Sequence, residues 1–216
     1  MQPKLEWQLY QNYPGLFAGW PTDSCGLEYG LMGCHEGWYT VIETVCYLLS
    51  ARNGSIRFLQ IKEKFGCLRI YFQRSDDYSK GVKQMAELIS ARTCEICGNP
   101  GVLYKSAGWL ATRCLSHTSA ENLAGYCQQP AIKSIRNMGI GWSGLVTDLT
   151  SWVEAYQKYN ANCDWKLEYR KSNGRLHVNF LGGDNTLQGA IDCVNSYCSR
   201  IDECSGACTI INPGEQ

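Results

Sequence analysis

Four potential metal ligands in the middle of the chain constrain its fold more than any other feature. Cys94 and Cys97 form a C-x2-C pair, and after 16 intervening residues Cys114 and His117 form a C-x2-H pair. A structural zinc ion takes four nitrogen or sulfur ligands in a tetrahedron, and two ligands three residues apart on a turn reach one ion. The sequence therefore predicts a structural Zn²⁺ site at these four residues.

The segment between the two pairs has the pattern of a β-hairpin. Residues 102–104 and 109–112 favour strands, and residues 105–108, Lys-Ser-Ala-Gly, favour a turn. A hairpin brings the second pair of ligands opposite the first, which predicts a zinc-ribbon-like unit over residues 93–117. A redox C-x-x-C motif would need a βαβ context, and an iron–sulfur cluster usually takes four cysteines.

The other cysteines indicate where the chain works. The chain has 13 cysteines, no secretory signal at its start and no run of about 20 apolar residues. We therefore expect the cytoplasm and no membrane contact, with most cysteines as buried thiols. A C-terminal group fits this picture less easily, and we interpret it as a second metal site, a disulfide or ordinary thiols. Its members are Cys193, Cys198, Cys204 and Cys208.

An internal repeat organises the chain. Both halves contain a Gly-Trp pair followed by a helical pattern, then a strand beginning at Gly and ending at Phe, then an amphipathic segment and a cysteine pair. The matched segments are 37–49 with 141–153, 66–72 with 174–180, and 82–89 with 187–194. The cysteine pair of the first copy is Cys94/Cys97, and the pair in the second is Cys204/Cys208.

The repeat predicts an α+β fold made of two tandem copies of a helix–β-hairpin–helix unit. Only the first copy carries the full zinc hairpin, and the second keeps a degenerate cysteine pair. The predicted parts are an N-terminal extension (1–30), repeat one (31–117), a connector (118–137) and repeat two (138–216).

The hairpins of the two copies each predict a polar face that could bind a partner. In the first, alternation places Leu68, Ile70 and Phe72 on the buried face and leaves basic and aromatic residues on the other. The second hairpin repeats this pattern around the turn signal Asn173-Gly174. The candidate binding residues are Lys62, Lys64, Arg69, Tyr71, Arg175 and His177. The alternative is a solvated sheet face with no partner.

Several motifs together resemble a family of uncharacterised zinc-motif proteins of tailed bacteriophages and prophages. They are GWYTVI (37–42), QIKEKFGCLRIYF (60–72), CEICGNPG (94–101) and GWLATRC (108–114). The likeness covers roughly residues 31–117, and this chain has Gly66-Cys67 where the family has Gly-Gly. The resemblance implies a phage-encoded protein made inside a bacterium and implies no activity or catalytic residues.

These observations predict a binding protein in place of an enzyme, and we single out no catalytic residue. Four protein ligands leave a metal no open position for water, and the segment between the zinc pairs lacks the histidine base of a ββα-metal nuclease. We expect a non-enzymatic accessory protein that binds a host or phage protein and counters a bacterial defence system. The alternative is a nucleic-acid or nucleotide-binding module, although 20 basic and 20 acidic residues give no electropositive excess.

Overall fold

The computed structural model describes residues 1–20, 32–52, 54–106, 108–118, 135, 138–160 and 166–209. Within these residues the chain forms five α-helices and three two-stranded antiparallel sheets, so the predicted α+β class is confirmed. The helices are α1 (Pro3–Asn12), α2 (Tyr39–Ser50), α3 (Asp77–Ser90), α4 (Ile140–Tyr159) and α5 (Asn185–Cys198). The hairpins are β1–β2 (Phe58–Lys64, Cys67–Phe72), β3–β4 (Val102–Ser106, Trp109–Arg113) and β5–β6 (Lys166–Ser172, Arg175–Leu181).

The chain divides into two compact units. Unit one comprises residues 1–76 and 86–129, and unit two comprises residues 77–85 and 130–216, so the division falls inside helix α3. The repeat boundaries expected from the sequence, 31–117 and 138–216, stay a prediction. Most of the predicted connector, 118–137, lies outside the described residues.

The core of unit one includes a helix that the sequence reading did not predict. Helix α1 lies in the segment interpreted only as an N-terminal extension, and Pro3 suits its first turn, where a missing N–H costs nothing. Leu5 and Leu9 are buried on this helix, together with Val45 of α2 and Ile61 of β1. Residues 1–20 therefore contribute to the core of unit one.

The first hairpin turns more tightly than its sequence suggests. The sequence pattern predicts strands at 56–62 and 68–72 joined through residues 63–66, but β1 pairs with β2 up to Lys64 and Cys67. The turn is only Phe65-Gly66, with φ of 57° and 74°. Such a turn needs positive φ at both central residues, which is uncommon for Phe, so no local pattern predicts it.

The hairpin of unit two follows its sequence pattern. Asn173 and Gly174 have φ of 52° and 67°, as the Asn-Gly pair predicts for a two-residue turn. Leu176 and Val178 are buried, which confirms the predicted apolar face.

A helical side chain completes the edge of each of these hairpins in the same way. In unit one, Oε1 of Glu87 accepts a hydrogen bond of 3.2 Å from the backbone amide of Ile70. In unit two, Oδ1 of Asn195 accepts one of 2.8 Å from the amide of Val178. Each position in unit two follows its counterpart by 108 residues, the same shift that relates the two turns.

Within unit two, two glycines allow close contact between α5 and the first half of α3. A Cβ atom on Gly81 would lie 1.9 Å from the carbonyl oxygen of Thr186, and one on Gly189 would lie 2.1 Å from the carbonyl oxygen of Tyr78. Each glycine thus faces a carbonyl of the other helix. The two glycines are 108 positions apart, and so are Tyr78 and Thr186, so the two halves of the contact are equivalent. Any larger residue at either glycine would force the helices apart.

Candidate metal centre

The β3–β4 hairpin and the loop before it place the four predicted ligands together. Cys94 and Cys97 lie in a tight loop in which Thr93 pairs with Pro100. Gly98 closes the loop with φ of 77°, and its amide N–H donates a hydrogen bond to the Cys94 carbonyl. Cys114 follows β4 directly, and His117 is the last residue of a one-turn 3₁₀ helix, Leu115–His117. The expected hairpin therefore brings the C-x2-H pair to the C-x2-C pair.

The distances among the ligand atoms fit one tetrahedral ion. All four lie within 4.8 Å of one another. Cys97 Sγ is 3.6 Å from Cys114 Sγ, and His117 Nδ1 is 3.7 Å from Cys94 Sγ and 3.2 Å from Cys114 Sγ. Ligands on a tetrahedral zinc ion would be about 3.8 Å apart for two sulfurs and about 3.6 Å apart for sulfur and nitrogen. The cluster is thus a possible Cys₃His metal site.

The backbone favours a thiolate at Cys94, whereas burial raises the pKa of Cys97 to about 12. Burial opposes ionisation of the Cys94 thiol, but backbone N–H groups of Cys97, Cys114 and Ile96 outweigh it and lower the pKa of Cys94. Metals bind the deprotonated form of cysteine, so these amides prepare a ligand. Cys94 is fully buried, Cys114 is buried and His117 is exposed.

Residues outside the ligand set hold the metal loop in place. The indole Nε1 of Trp38, fully buried, donates a hydrogen bond of 2.8 Å to the carbonyl of Thr93, the residue before the first ligand. The amide of Gly37 donates to the carbonyl of Glu95 over 2.9 Å. The sequence reading took Gly37-Trp38 as a helix start, and its role as an anchor of the loop was missed because the partner is a backbone carbonyl 55 residues away.

Two further contacts hold the β3–β4 hairpin to the segments beside it within unit one. The carboxylate of Glu95 lies 2.6 Å from the Arg113 guanidinium, and both side chains are largely buried. The buried hydroxyl of Thr112 donates a hydrogen bond of 2.7 Å to the carbonyl of Gly66 in the β1–β2 turn. The β3–β4 hairpin, which carries Cys114 at its end, therefore also contacts the turn of the β1–β2 hairpin.

Unit two contains a loop with the same backbone pattern and without the ligands. Ile201 pairs with Cys208 as Thr93 pairs with Pro100, and the amide of Gly206 bonds the Asp202 carbonyl as Gly98 bonds Cys94. The shift is again 108 positions, which places Asp202 and Ser205 where unit one has Cys94 and Cys97. The repeat in the sequence matches Cys204 and Cys208 with those two ligands, and the hydrogen bonds correct this match to Asp202 and Ser205.

The four C-terminal cysteines differ in burial. Cys193 and Cys198 are buried on helix α5, Cys208 is half-buried and Cys204 is exposed. Burial raises the pKa of Cys193 to about 12 and also raises the pKa of Cys198, which favours neutral thiols at these two positions. A second metal site or disulfide here stays a prediction.

The strand registers place the candidate binding residues of unit one on one face of their hairpin. Lys62 pairs with Arg69, Lys64 with Cys67 and Tyr71 with Gln60. The ammonium group of Lys62 lies 5.5 Å from the centre of the Tyr71 ring, and Arg69 makes an ion pair of 3.7 Å with Glu87. The face is basic and aromatic, and its three cations all have intramolecular contacts, since the Lys64 ammonium group also lies 5.3 Å from the centre of the Phe65 ring.

The equivalent face of unit two is more exposed. Arg170 pairs with His177 and Ser172 with Arg175, and the three basic side chains are all exposed. Lys166 continues the same face and lies 3.9 Å from the carboxylate of Glu168. Both hairpins therefore carry basic residues at two matching strand positions, half-buried in unit one (Lys62 and Arg69) and exposed in unit two (Arg170 and His177).

Comparisons with known proteins leave the chain without an assigned family. No protein-family model matches it, and neither the curated proteins nor the solved structures give a significant match. Within the part of the chain that the structure describes, no helix is both long and apolar enough to cross a membrane.

Proposed function

We propose that this chain is a non-enzymatic binding protein in which zinc stabilises the fold. The observation that carries the proposal is the closed ligand set: three sulfurs and one imidazole nitrogen at tetrahedral spacing. A structural zinc site uses four protein ligands, whereas a catalytic one keeps a position for water or substrate. Thiolate and imidazole ligands suit zinc better than magnesium or calcium, which prefer oxygen.

The binding surface in this proposal is the solvent-facing side of the two hairpins that carry Lys62 and Arg170. The partner is a host or phage protein with an acidic surface. Basic residues at two matching strand positions, Lys62 with Arg170 and Arg69 with His177, support this proposal, because complementary charge steers association and selects partners.

The cellular setting in this proposal is the cytoplasm of a bacterium that carries a phage or prophage, where the protein counters a bacterial defence system. The resemblance of residues 31–117 to phage proteins supports the origin. A reducing compartment is also where a Cys₃His cluster keeps its thiols available for metal.

We also propose that the chain arose by duplication of a helix–β-hairpin–helix unit, the first copy with a zinc-ribbon-like hairpin. The support is one shift of 108 positions that relates the two-residue turns, the Glu87 and Asn195 contacts, and the loops at Cys94 and Asp202. In this proposal the second copy lost its metal ligands and kept the loop.

The experiment that tests the binding function compares two charge reversals in unit two. A captured partner is purified, and its affinity is measured for the wild type, Arg170→Glu and the control Lys158→Glu, another exposed cation. The proposal expects Arg170→Glu to weaken binding at least about 10-fold and Lys158→Glu to leave it unchanged. Equal affinities would contradict the proposed surface, and substrate turnover by the purified chain would contradict a non-enzymatic role.

Nucleic acid is the second candidate partner, favoured by the exposed Arg170, Arg175 and His177. If this face contacts about three phosphates of a single strand, the slope of log affinity against log salt should be about −2. No retention of RNA or DNA at low salt, with binding to the purified protein partner intact, would exclude this candidate.

A further inference from the structure

A polar cleft in unit one has donors suited to a phosphate group. It has a volume of about 460 Å³ and opens between the end of helix α2 and the segment after β2. Its lining residues are Ala51, Arg52, Ser55, Ile56, Arg74, Ser75 and Asp76. Guanidinium groups hydrogen-bond phosphate oxygens in pairs, and hydroxyl groups add further donors. Two arginines and two serines therefore give this cleft the chemistry of an oxyanion site.

A smaller, mostly apolar cavity adjoins the cleft. It has a volume of about 230 Å³ and shares Arg52 and Ile56 with the polar cleft. Its other walls include Tyr13, Leu16 and Leu49. Leu16, Leu49 and Ile56 are buried residues, so they form a fixed apolar floor. Small-molecule sites commonly combine such a surface with a few polar groups that fix orientation.

The charged groups that line the cleft are exposed enough to rearrange around a bound anion. Arg52 Nε lies 3.8 Å from Asp76 Oδ2, and the two side chains are 42% and 51% exposed. An ion pair this exposed is weak and can rearrange around a ligand. Arg74 is also exposed, and both Arg74 and Ser75 line the cleft. The Asp76 carboxylate can accept a hydrogen bond from a ligand hydroxyl.

We propose that the two cavities together bind a small phosphomonoester with a flat or apolar group, such as a mononucleotide. The phosphate lies against Arg52, Arg74 and the serine hydroxyls, and the ring lies in the apolar cavity beside Tyr13. This site is separate from the metal cluster and from the hairpin faces, and it does not depend on either of them.

Calorimetric titration of the full, metal-loaded chain tests the site with three probes: adenosine 5′-monophosphate, adenosine and inorganic phosphate. The monophosphate should bind saturably, and at least about 10-fold more tightly than either fragment, because only it fills both cavities. Absence of saturable binding at about 10 mM monophosphate would overturn the proposal. Phosphate alone binding as tightly as the monophosphate would also overturn it.

A matched pair of arginine variants locates the binding. Arg74→Gln removes a charged donor from the cleft and should weaken binding of the monophosphate at least about 10-fold. Arg57→Gln removes another exposed charge, at a residue that does not line the cleft, and it should leave binding unchanged. Both side chains are exposed, so thermal unfolding should match the wild type. Equal effects of the two substitutions, or none from Arg74→Gln, would overturn the proposed position of the site.

Discussion

The amide and the hydroxyl of Ser205 both hydrogen-bond to Oδ1 of Asp202, over 2.7 and 2.8 Å. These two residues stand 108 positions after Cys97 and Cys94, in a loop with the same backbone bonds. The loop of unit two thus has a side-chain hydrogen bond between Asp202 and Ser205 at the two positions where the loop of unit one carries sulfurs.

This relationship predicts a change in the titration of Asp202 when Ser205 is replaced. Hydrogen bonds from the backbone amide and then the hydroxyl of Ser205 lower the pKa of Asp202 below its ordinary value of 3.8. Ser205→Ala removes the hydroxyl bond and should raise that pKa. A lowered pKa means that the carboxylate stabilises the fold above the ordinary pKa, and that this contribution is lost as pH falls through the folded-state value.

Carbon-detected NMR titration of the Asp202 carboxyl measures the change. Ser199→Ala is the control, because the Ser199 hydroxyl donates to the carbonyl of Ser196 and to no carboxylate in the described contacts. An unchanged Asp202 titration in Ser205→Ala would show that the hydroxyl does not favour the carboxylate.

The glycine contact between α3 and α5 predicts that alanine is harmful there despite its helix propensity. Alanine is favoured over glycine by about 1 kcal/mol in a helix interior. At Gly81 or Gly189, however, its methyl group would overlap a carbonyl oxygen of the other helix. We expect each substitution to lower the free energy of unfolding by about 1–3 kcal/mol in urea titrations.

Gly15→Ala is the control for this pair, because its added Cβ meets no atom within 4 Å. It should change the free energy of unfolding little. A stabilised Gly81→Ala or Gly189→Ala variant would mean that helix propensity outweighs the contact and that the helices are not so close.

The hydrogen bond from Trp38 predicts that loss of its indole N–H weakens the anchor of the metal loop. Trp38→Phe keeps an aromatic ring in the core but leaves the Thr93 carbonyl without this donor, at a cost of about 1–3 kcal/mol. Thermal and urea unfolding measure the loss. Trp109→Phe, at a residue that is 80% exposed, should stay within about 0.5 kcal/mol of the wild type. Equal effects of the two substitutions would contradict an anchoring role.

The sequence predicted those features that depend on local spacing. The C-x2-C and C-x2-H pairs, the Asn173-Gly174 turn and the alternation of Leu176 and Val178 all have short-range patterns, and the structure places them as expected. The helix after Gly37-Trp38 was also expected, and α2 covers Tyr39–Ser50.

Features that have no local sequence signal, or that depend on distant partners, could not be predicted from the sequence. A Phe at positive φ in the first turn has no local signal, and neither does a bond from Trp38 to a backbone carbonyl. The match of Asp202 with Cys94 has no sequence signal, because a carboxylate and a hydroxyl replace the two sulfurs. The nearby Cys204 offers a sulfur at a different position and therefore favours a wrong match. The backbone hydrogen bonds of the loop give that register, and the shift of 108 positions between the two turns agrees with it.

The metal cluster gives the account its central prediction: one zinc ion for each chain, held by Cys94, Cys97, Cys114 and His117. Native mass spectrometry of the purified protein, with elemental analysis, measures it most directly. Cys97→Ser should lose the ion and lower the thermal stability, because binding of a structural zinc contributes to folding. Cys204→Ser, at an exposed cysteine outside the cluster, should keep one ion. Wild-type protein without bound zinc, or Cys97→Ser with zinc and stability unchanged, would contradict the account.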